Sequence, residues 1–567
     1  MIGGELDVDF RLQPNRALLL LEAEGLLTTT PPESSHLRRG SALATSDLKI
    51  VWDTRRLPTD KSAEKVIFVA RRTERFDTHS HVPELLNDGH VVVAQQDCLQ
   101  PSIDGAAESA GATWTKDLQA HPNLISVSSV DMARHLLLQC SSEVHARNWT
   151  TIAITGTNGK TSTTQIAATM LEELSQKSVL RLGTLGIQIA GQIFDNPFPT
   201  QPDFAGLLAS LRMAEKTFTC NQLVMEATSI GIAEGRLGHW PVQCAAFLNL
   251  TQDHLDYHGS MSSYLEAKLD LFRRHLHPTG QVVLNCEDPE WQKVVRAAAG
   301  KTRLCVGFGK SLMRDVFFAE ASAHFSGVRY LEVSHQRSGI GGIAGQWTLW
   351  LDKLTSVAQC QYMVRLLGAV QHENVSAAAA MMVSLGYPLA QIGGICQSIG
   401  PIHGRLEPVS TSDDNGLPAV LVDYAHSPDA LEKTLQTCRA ILPREGKLIC
   451  VFGCGGDRDP VKRPIMGRIS AQLADITWVT SDNPRTEDPQ TIVNDILRGI
   501  PEDRSGCTQV QIDRGRAICD AIAAASEKDI ILIAGKGHED YQIIGATKYP
   551  FSDSEVARQA LKSKRKI

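Results

Sequence analysis

The segment TIAITGTNGKTSTTQ, residues 151–165, joins a run of β-formers to a glycine-rich turn and then to a helical pattern. An apolar strand that feeds a helix in this way commits the region to layered α/β structure, because the strand can bury its apolar face only under a packed helix. Backbone N–H groups at such a helix start point outward, and the helix dipole favours an anion there. Lys160 can reach terminal phosphates and Thr161 can hold Mg²⁺, while Gly156, Thr157, Asn158, Gly159 and Ser162 complete the cradle. Ile154 stands where the common G-x-x-x-x-G-K-[ST] loop has its first glycine, which predicts a tighter loop. The plain alternative is a glycine turn that merely precedes a helix.

A chain of 567 residues predicts about three or four domains. Short apolar runs, KVIFVA and HVVVAQ, give the first 145 residues the pattern of a small α/β unit. From Thr151 the alternation is regular, with strands predicted at Thr151–Ile154, Leu223–Glu226, Ala245–Leu250 and Val282–Asn285 and a helix at Ser262–His275. A second α/β series runs through AVLVDYAH, KLICVFG, ITWVTSDNP and DIILIAGKG, after a Pro/Gly-rich boundary near residue 401. Alternation of this kind predicts parallel sheets with helices on both faces.

Net charge is −7 and the one marked basic run is the terminal KSKRK, so no nucleic-acid partner is expected. Thirteen cysteines without C-x-x-C pairs fit free thiols in a reducing cytoplasm. The acidic start MIGGELDVDF and the two glutamates in ALLLLEAEGLL predict neither an export signal nor membrane insertion.

VMEATS puts Glu226 at the end of an apolar strand, and NLTQDHLDYHGSMSSYLEAK follows another. Strand ends are where open α/β sheets bind ligands. A carboxylate and an imidazole there, Glu226 and His254, are candidate ligands for the Mg²⁺ that accompanies ATP.

T-G-T-N-G-K-T resembles the shortened phosphate loop of the Mur ligase family, ATP-dependent amide-forming enzymes of peptidoglycan synthesis. Several motifs carry the resemblance from about residue 150 to the C-terminus, and it is loose before that. It implies a three-domain α/β architecture: a UDP-sugar-binding domain over 1–148, a central parallel-sheet ATP-binding domain over 149–402, and a Rossmann-like amino-acid-binding domain over 403–567. It also implies a catalytic set of Lys160, Glu226, His254 and Lys268. Glu226 and His254 would hold the second Mg²⁺, with Thr161 on the metal as well, and Lys268 would be carried as a carbamate, a cation converted into a metal-binding anion. A solvated helix lysine is the alternative for Lys268.

Other segments carry over position by position. LLGAVQHENVSAAAAM is similar to the family's G-x-F-N-x-x-N at Gly368 and Asn374 and departs at Val370 and Gln371; Asn374 is an adenine-contact candidate, with helix capping as its alternative. HGRLE supplies Arg405 and DYAHSPDAL supplies Asp423 and His426, all expected around ATP. GCGGDRDPVKRP, SDNPRTEDP and GKGHEDYQ each follow a predicted strand and should share one sheet edge. The tetrapeptide Asp482-Asn483-Pro484-Arg485 matches the family signature for diaminopimelate, whose second carboxylate suits the guanidinium fork of Arg485. Arg458, Gly535 and Glu539 match further pocket positions, Glu539 suiting an ammonium group.

In the sugar-nucleotide part Thr54, Thr200, Gln201, Thr228, Ser229 and Arg236 are the candidates. Thr54 stands where serine is usual, Gln201 where a second threonine is typical, Ile230 and Glu234 where the family has histidine and glutamine, and Thr73, Asp77 and Thr78 replace a glycine-containing turn. The expected partners are therefore ATP with Mg²⁺, meso-diaminopimelate and a UDP-linked muramoyl dipeptide, handled by a monomer. A ligase of the same fold with another substrate, adding L-lysine or of the folylpolyglutamate type, is the main alternative, and intact D-N-P-R argues against the latter. A non-catalytic nucleotide-binding module is the other, and the joint presence of Lys160, Glu226, His254 and Lys268 argues against it.

Overall fold

The computed structural model describes residues 11–23, 26–27, 48–51, 65–70, 81–88, 90–95, 121, 123–142, 144–194, 200–339, 341–409 and 416–565. By their packing these fall into two compact units, Met1–Thr151 with Ser178–Leu223 and Ala227–Val242, and Ile152–Lys177 with Val224–Glu226 and Gln243–Ile567. Among the described residues no helix is long and apolar enough to cross a membrane, and the described cysteines are free thiols.

In the first unit, five strands lie in the order Arg11–Leu12, Leu48–Val51, Val66–Val69, Val91–Gln95 and Leu124–Val127. All neighbours are parallel except the first pair. VIFV and VVVAQ are β-branched runs buried nearly throughout, as expected of a parallel sheet covered on both faces. Phe68, Val66, Val92 and Leu85 form its core, and burying each such side chain contributes roughly 1.5–3 kcal/mol. Leu180–Gly183, Gly186–Ile189 and Gln192–Phe194 form an antiparallel meander in the same unit.

The second unit holds two large sheets and a two-stranded one, Tyr541–Ile544 antiparallel to Thr547–Pro550. In one of the large sheets, Val242–Phe247 runs parallel to Thr150–Thr155, and Leu304–Gly309 runs parallel to both Leu276–Asn285 and Gly327–Gly339. The predicted helix is Met261–Asp270, and its last turn opens into a π-helical segment, Leu271–His275, a feature that often marks functional sites. Helix Val370–Ser384 packs on helix Lys160–Ser175. Its run of four alanines, 377–380, leaves little between the backbones, and those residues are fully buried.

The alternating parallel pattern does not continue to the boundary near residue 401. Gly327–Gly339, Gly342–Trp350 and Ser356–Val364 instead form an antiparallel meander, whose tightest turn, with Gly342 at φ 121°, needs no helical crossover.

The second sheet has the order Glu407–Pro408, Ala419–Asp423, Ile530–Ala534, Leu448–Phe452, Ile476–Val479 and Thr508–Val510. Only the first pair is antiparallel. The strand of this sheet that comes last in the chain, Ile530–Ala534, sits between Ala419–Asp423 and Leu448–Phe452, so the carboxyl ends at Asp423, Ala534, Phe452 and Val479 open side by side.

Candidate active site

Strand Thr150–Thr155 is mostly β-branched and buried, so it delivers the glycine loop at a fixed point. Gly159 caps helix Lys160–Ser175 at φ 82°, and a Cβ there would run into Asn374 Oδ1. Only glycine admits both the conformation and the approach. Asn249, at the end of a neighbouring strand, holds the turn open: its Oδ1 accepts from Thr157 N at 3.1 Å and Asn158 N at 2.8 Å. Thr163 Oγ1 donates to Asn374 Oδ1 at 3.2 Å. Asn374 is an interior residue of its helix, whose N-cap is Ala369, so it does not cap.

Two lysines converge on this loop. Lys160 Nζ donates to Gly156 O at 3.0 Å and Thr157 O at 2.8 Å, and Lys268 Nζ donates to the same Gly156 O at 2.9 Å. Lys268 is wholly buried, with its ammonium 4.3 Å from the Tyr264 ring centre. Burial first, and then the charge of Lys160, hold its amine well below the ordinary lysine range. Burial also lowers Lys160, against the raising influence of Glu226 and Asp253. Two lysine side chains converging on one carbonyl beside the helix start make a place where an anion can bind, with Glu226 and Asp253 close by.

Thr161 Oγ1 donates to Glu226 Oε2 at 3.1 Å, bringing a hydroxyl and a carboxylate together beside the loop. His254 lies elsewhere in this neighbourhood, 45% exposed, with Nε2 3.5 Å from Asp253 Oδ2. Among the described residues no three His, Cys, Asp or Glu side chains gather as a metal cage. Mg²⁺ at phosphate sites takes one or two protein oxygens and fills its shell with water and substrate phosphate, so the Thr161–Glu226 pair fits that ion.

The segment HGRLE turns sharply, with Leu406 at φ 46°. Asp423 fixes the turn: its Oδ2 accepts from Leu406 N at 2.7 Å and its Oδ1 from Ala425 N at 2.9 Å. Burial raises the Asp423 carboxyl above the usual range. Arg405 Nη2 reaches to 3.5 Å from Thr161 Oγ1, its guanidinium lies 5.0 Å from the Tyr424 ring centre, and its Nε is buried without a partner. His426 is exposed and its Nδ1 lies 2.8 Å from Tyr424 O.

Three loops meet at the carboxyl edge of the second sheet. Gly456 N donates to Asn483 O at 2.9 Å and Arg485 Nη1 donates to Gly456 O at 2.6 Å. Arg485 has φ 51°, a costly conformation for a residue with a side chain. It is held by Arg485 N to Ile543 O at 3.1 Å and Gly545 N to Arg485 O at 2.7 Å. Asn483 Nδ2 donates to Glu539 Oε2 at 2.8 Å. Gly535, at φ 118°, lets the third loop pass Asp482, whose Oδ2 would lie 3.1 Å from a Cβ. Pro484 is buried and Arg458 is exposed in the first loop. Lys536, which no sequence motif singles out, is fully buried among Asp482, Asn483 and Glu539. Its only sequence sign is its place between two glycines.

In the first unit, Gln201 Oε1 accepts from Thr228 N at 3.0 Å, and Arg236 Nη1 donates to Gln201 O at 2.9 Å. Thr200 Oγ1 lies 3.3 Å from Thr184 Oγ1, and Ser229 begins the helix capped by Thr228. Glu234 pairs with Arg236 at 2.7 Å, so the glutamate that replaces glutamine changes the charge at this spot. Thr54, Thr73, Asp77 and Thr78 lie outside the described residues.

Residues 154–382 match the family model of the Mur ligase middle domain, and residues 404–537 match that of the Mur ligase, glutamate ligase domain. The UDP-N-acetylmuramoyl-L-alanyl-D-glutamate–2,6-diaminopimelate ligase of Gloeobacter violaceus is 38% identical over 468 residues, 82% of this chain and 88% of the relative. The enzyme of the same name from Chromobacterium violaceum is 36% identical over 515 residues, 90% of this chain and 94% of the relative. A solved structure of a ligase of that name superposes with a TM-score of 0.61 at 26% identity, covering 93% of this chain and 97% of its own.

Proposed function

The chain belongs to the Mur ligase family, and on that premise we propose that it uses ATP to join meso-diaminopimelate to UDP-N-acetylmuramoyl-L-alanyl-D-glutamate in peptidoglycan precursor synthesis. The observation that carries this is the intact Asp482-Asn483-Pro484-Arg485 loop, with Arg485 held at positive φ and Asn483 bonded to Glu539. Our assignment of roles runs over three domains, residues 1–148 for the UDP-sugar, 149–402 for ATP and 403–567 for the amino acid.

A carboxylate does not accept an amine, because oxide is too poor a leaving group, and phosphoryl transfer from ATP gives it a better one. The N–H groups at the helix start, residues 159–162, and Lys160 would hold the phosphates and neutralise the charge that grows as the γ-phosphoryl moves. Both Lys160 bonds go to backbone carbonyls of its own loop, contacts that a phosphate oxygen can replace. Mg²⁺, bound with the nucleotide, would supply further charge neutralisation, held by Thr161 and Glu226. His254 and a carbamate on Lys268 would complete that shell in our assignment. Lys268 is suited to carbamylation because burial and Lys160 hold its amine well below the ordinary lysine range, which favours the neutral amine that attacks CO₂. Asn374, Arg405, Asp423 and His426 are assigned to the nucleotide, Arg405 on the strength of its reach to Thr161.

The incoming amine then attacks the acyl phosphate, and phosphate leaves from a tetrahedral intermediate. Arg485 would pair with the far carboxylate of diaminopimelate and Glu539 with an ammonium group, with Asp482, Asn483, Pro484, Gly535 and Arg458 around them. Thr54, Thr200, Gln201, Thr228, Ser229 and Arg236 are assigned to the UDP-linked dipeptide. The reading makes the protein a cytoplasmic monomer, where ATP and the nucleotide-linked acceptor are both at hand. The test is a complete reaction with ATP, Mg²⁺, the UDP-linked dipeptide and meso-diaminopimelate. ADP and phosphate should form in equal amounts with a product heavier than the acceptor by one diaminopimelate less water. ADP formation that ignores omission of the amino acid contradicts the reading.

A further inference from the structure

Lys536 follows strand Ile530–Ala534 and is 0% exposed. Its Nζ lies 3.0 Å from Asn483 Oδ1, 3.2 Å from Glu539 Oε2 and 3.4 Å from Asp482 Oδ1. An ammonium has three protons to donate, and here each has an acceptor. A buried cation persists only when paired in this manner.

The bonds have a direction. Asn483 Oδ1 accepts from Lys536 and also from Ile543 N at 2.9 Å, so the side-chain amide can present only its NH₂ to Glu539. Glu539 Oε2 accepts from both Asn483 and Lys536, and neither bond uses Oε1. The cluster thereby orients one carboxylate oxygen as the atom left for a ligand.

Lys536 sets a positive charge against the carboxylates of Asp482 and Glu539, and Arg485 adds another in the adjoining loop. Behind them Arg514 and Asp553 form a fully buried pair, while Tyr424 and Tyr541 are phenols that burial pushes upward; Arg405, Arg458, Lys462, Asp540 and Lys548 stand further round the same loops. A cation among the carboxylates suits the far end of diaminopimelate, which carries an ammonium and a carboxylate together. Without Lys536 the pocket becomes one charge more negative, a change that favours an ammonium alone.

We propose that Lys536 is the positioning and specificity-determining residue of this pocket: it orients Asn483 and Glu539 and sets the charge balance that favours a zwitterionic side-chain end over a purely cationic one. This rests on the reading of these loops as the amino-acid pocket.

The test uses the full chain with Lys536→Met, Glu539→Gln and the double variant, and measures kcat and KM for diaminopimelate and L-lysine, KM for ATP, and Tm. Lys536→Met should raise KM for diaminopimelate, leave KM for ATP within about twofold, and lower the diaminopimelate-to-lysine ratio of kcat/KM by about tenfold or more, as expected when a buried polar partner is lost. Lys536→Met should lose Tm, and adding Glu539→Gln should restore part of that loss, since the unpaired carboxylate is then gone. If the single variant does not fold, Lys536→Gln, which keeps a side-chain donor but removes the charge, carries the test: a Lys536→Gln enzyme that keeps the wild-type ratio overturns the inference. So does a single variant in which both amino acids lose equally, because that is the signature of general disruption. A wild type that turns over no diaminopimelate overturns the pocket reading and this inference with it, whereas an active wild type with an indifferent Lys536→Met overturns this inference alone.

Discussion

Thr161 Oγ1 donates to Glu226 Oε2 across 3.1 Å, joining the first turn of the helix after the phosphate loop to the end of strand Gln222–Glu226. The pair presents adjacent oxygen ligands beside the loop. Glu226→Gln keeps the shape and an acceptor for Thr161 but removes the charge. The variant should fold with nearly unchanged Tm and lose about 10²-fold in kcat/KM for Mg-ATP, the scale of losing one electrostatic contact in a transition state. Steady-state phosphate release against Mg-ATP concentration checks this, and a loss under threefold would count against the assignment.

Lys160 makes only loop contacts in this structure, two backbone carbonyls within 3.0 Å. Lys160→Ala should therefore fold and release no phosphate. Substantial turnover in a variant whose circular dichroism matches wild type would remove the loop lysine from the mechanism.

Lys268 is held well below the ordinary lysine range by burial and by Lys160. Its neutral form is populated at lower pH than that of a free lysine, and the neutral fraction falls as pH drops. Activity should accordingly rise on adding bicarbonate to depleted enzyme, more weakly at acidic than at alkaline pH. Lys268→Ala should be nearly inactive and partly rescued by formate or acetate. An active crystalline enzyme with an unmodified ammonium at Lys268 would contradict the carbamate.

His538 is pushed down from 6.5 to about 4, by burial first and then by Arg405, His403 and His426, and its Nδ1 is buried without a partner. The unfolded imidazole takes up its proton near 6.5 and the folded one only near 4. The unfolded chain thus binds more protons in that window, and stability falls as pH falls through it, levelling below. The slope from this one group is at most about 1.4 kcal/mol per pH unit, less for residual solvent access. Denaturant unfolding of wild type and His538→Gln at several pH values should show the steeper acid loss in wild type. Parallel curves would exclude His538 as a contributor.

The strand ends at Thr155, Glu226, Phe452, Val479 and Ala534 were legible because apolar runs stop there at loops of Gly, Ser, Thr, Asn or Pro, and the loops carry the chemistry. The antiparallel meander of Gly327–Gly339, Gly342–Trp350 and Ser356–Val364 was not, since strands joined without helices leave the same apolar runs as a parallel series. Asn249 has no local signal and Lys536 only its flanking glycines, because partners that define their roles are far along the chain: Asn158 lies 91 residues from Asn249 and Asn483 lies 53 from Lys536. Nothing nearby in the chain marks a lysine as buried. His254 is legible only from its place in a His/Asp-rich motif, and in the fold it is 45% exposed with Nε2 3.5 Å from Asp253 Oδ2.

The central claim is that the second sheet's loops choose diaminopimelate through Arg485. The two candidate amino acids differ at the far end by one carboxylate, and a guanidinium pinned at positive φ by Ile543 O and Gly545 N is placed to detect it. An unpaired polar group left by the wrong substrate can cost roughly 10⁴-fold in discrimination. Arg485→Lys should recover only part of the preference, for want of the bidentate fork. The direct measurement is kcat/KM for meso-diaminopimelate and for L-lysine in wild type and Arg485→Ala. A large wild-type preference for diaminopimelate that collapses in the variant is the predicted result, and a wild type that prefers lysine, or a variant that keeps the full preference, would contradict it.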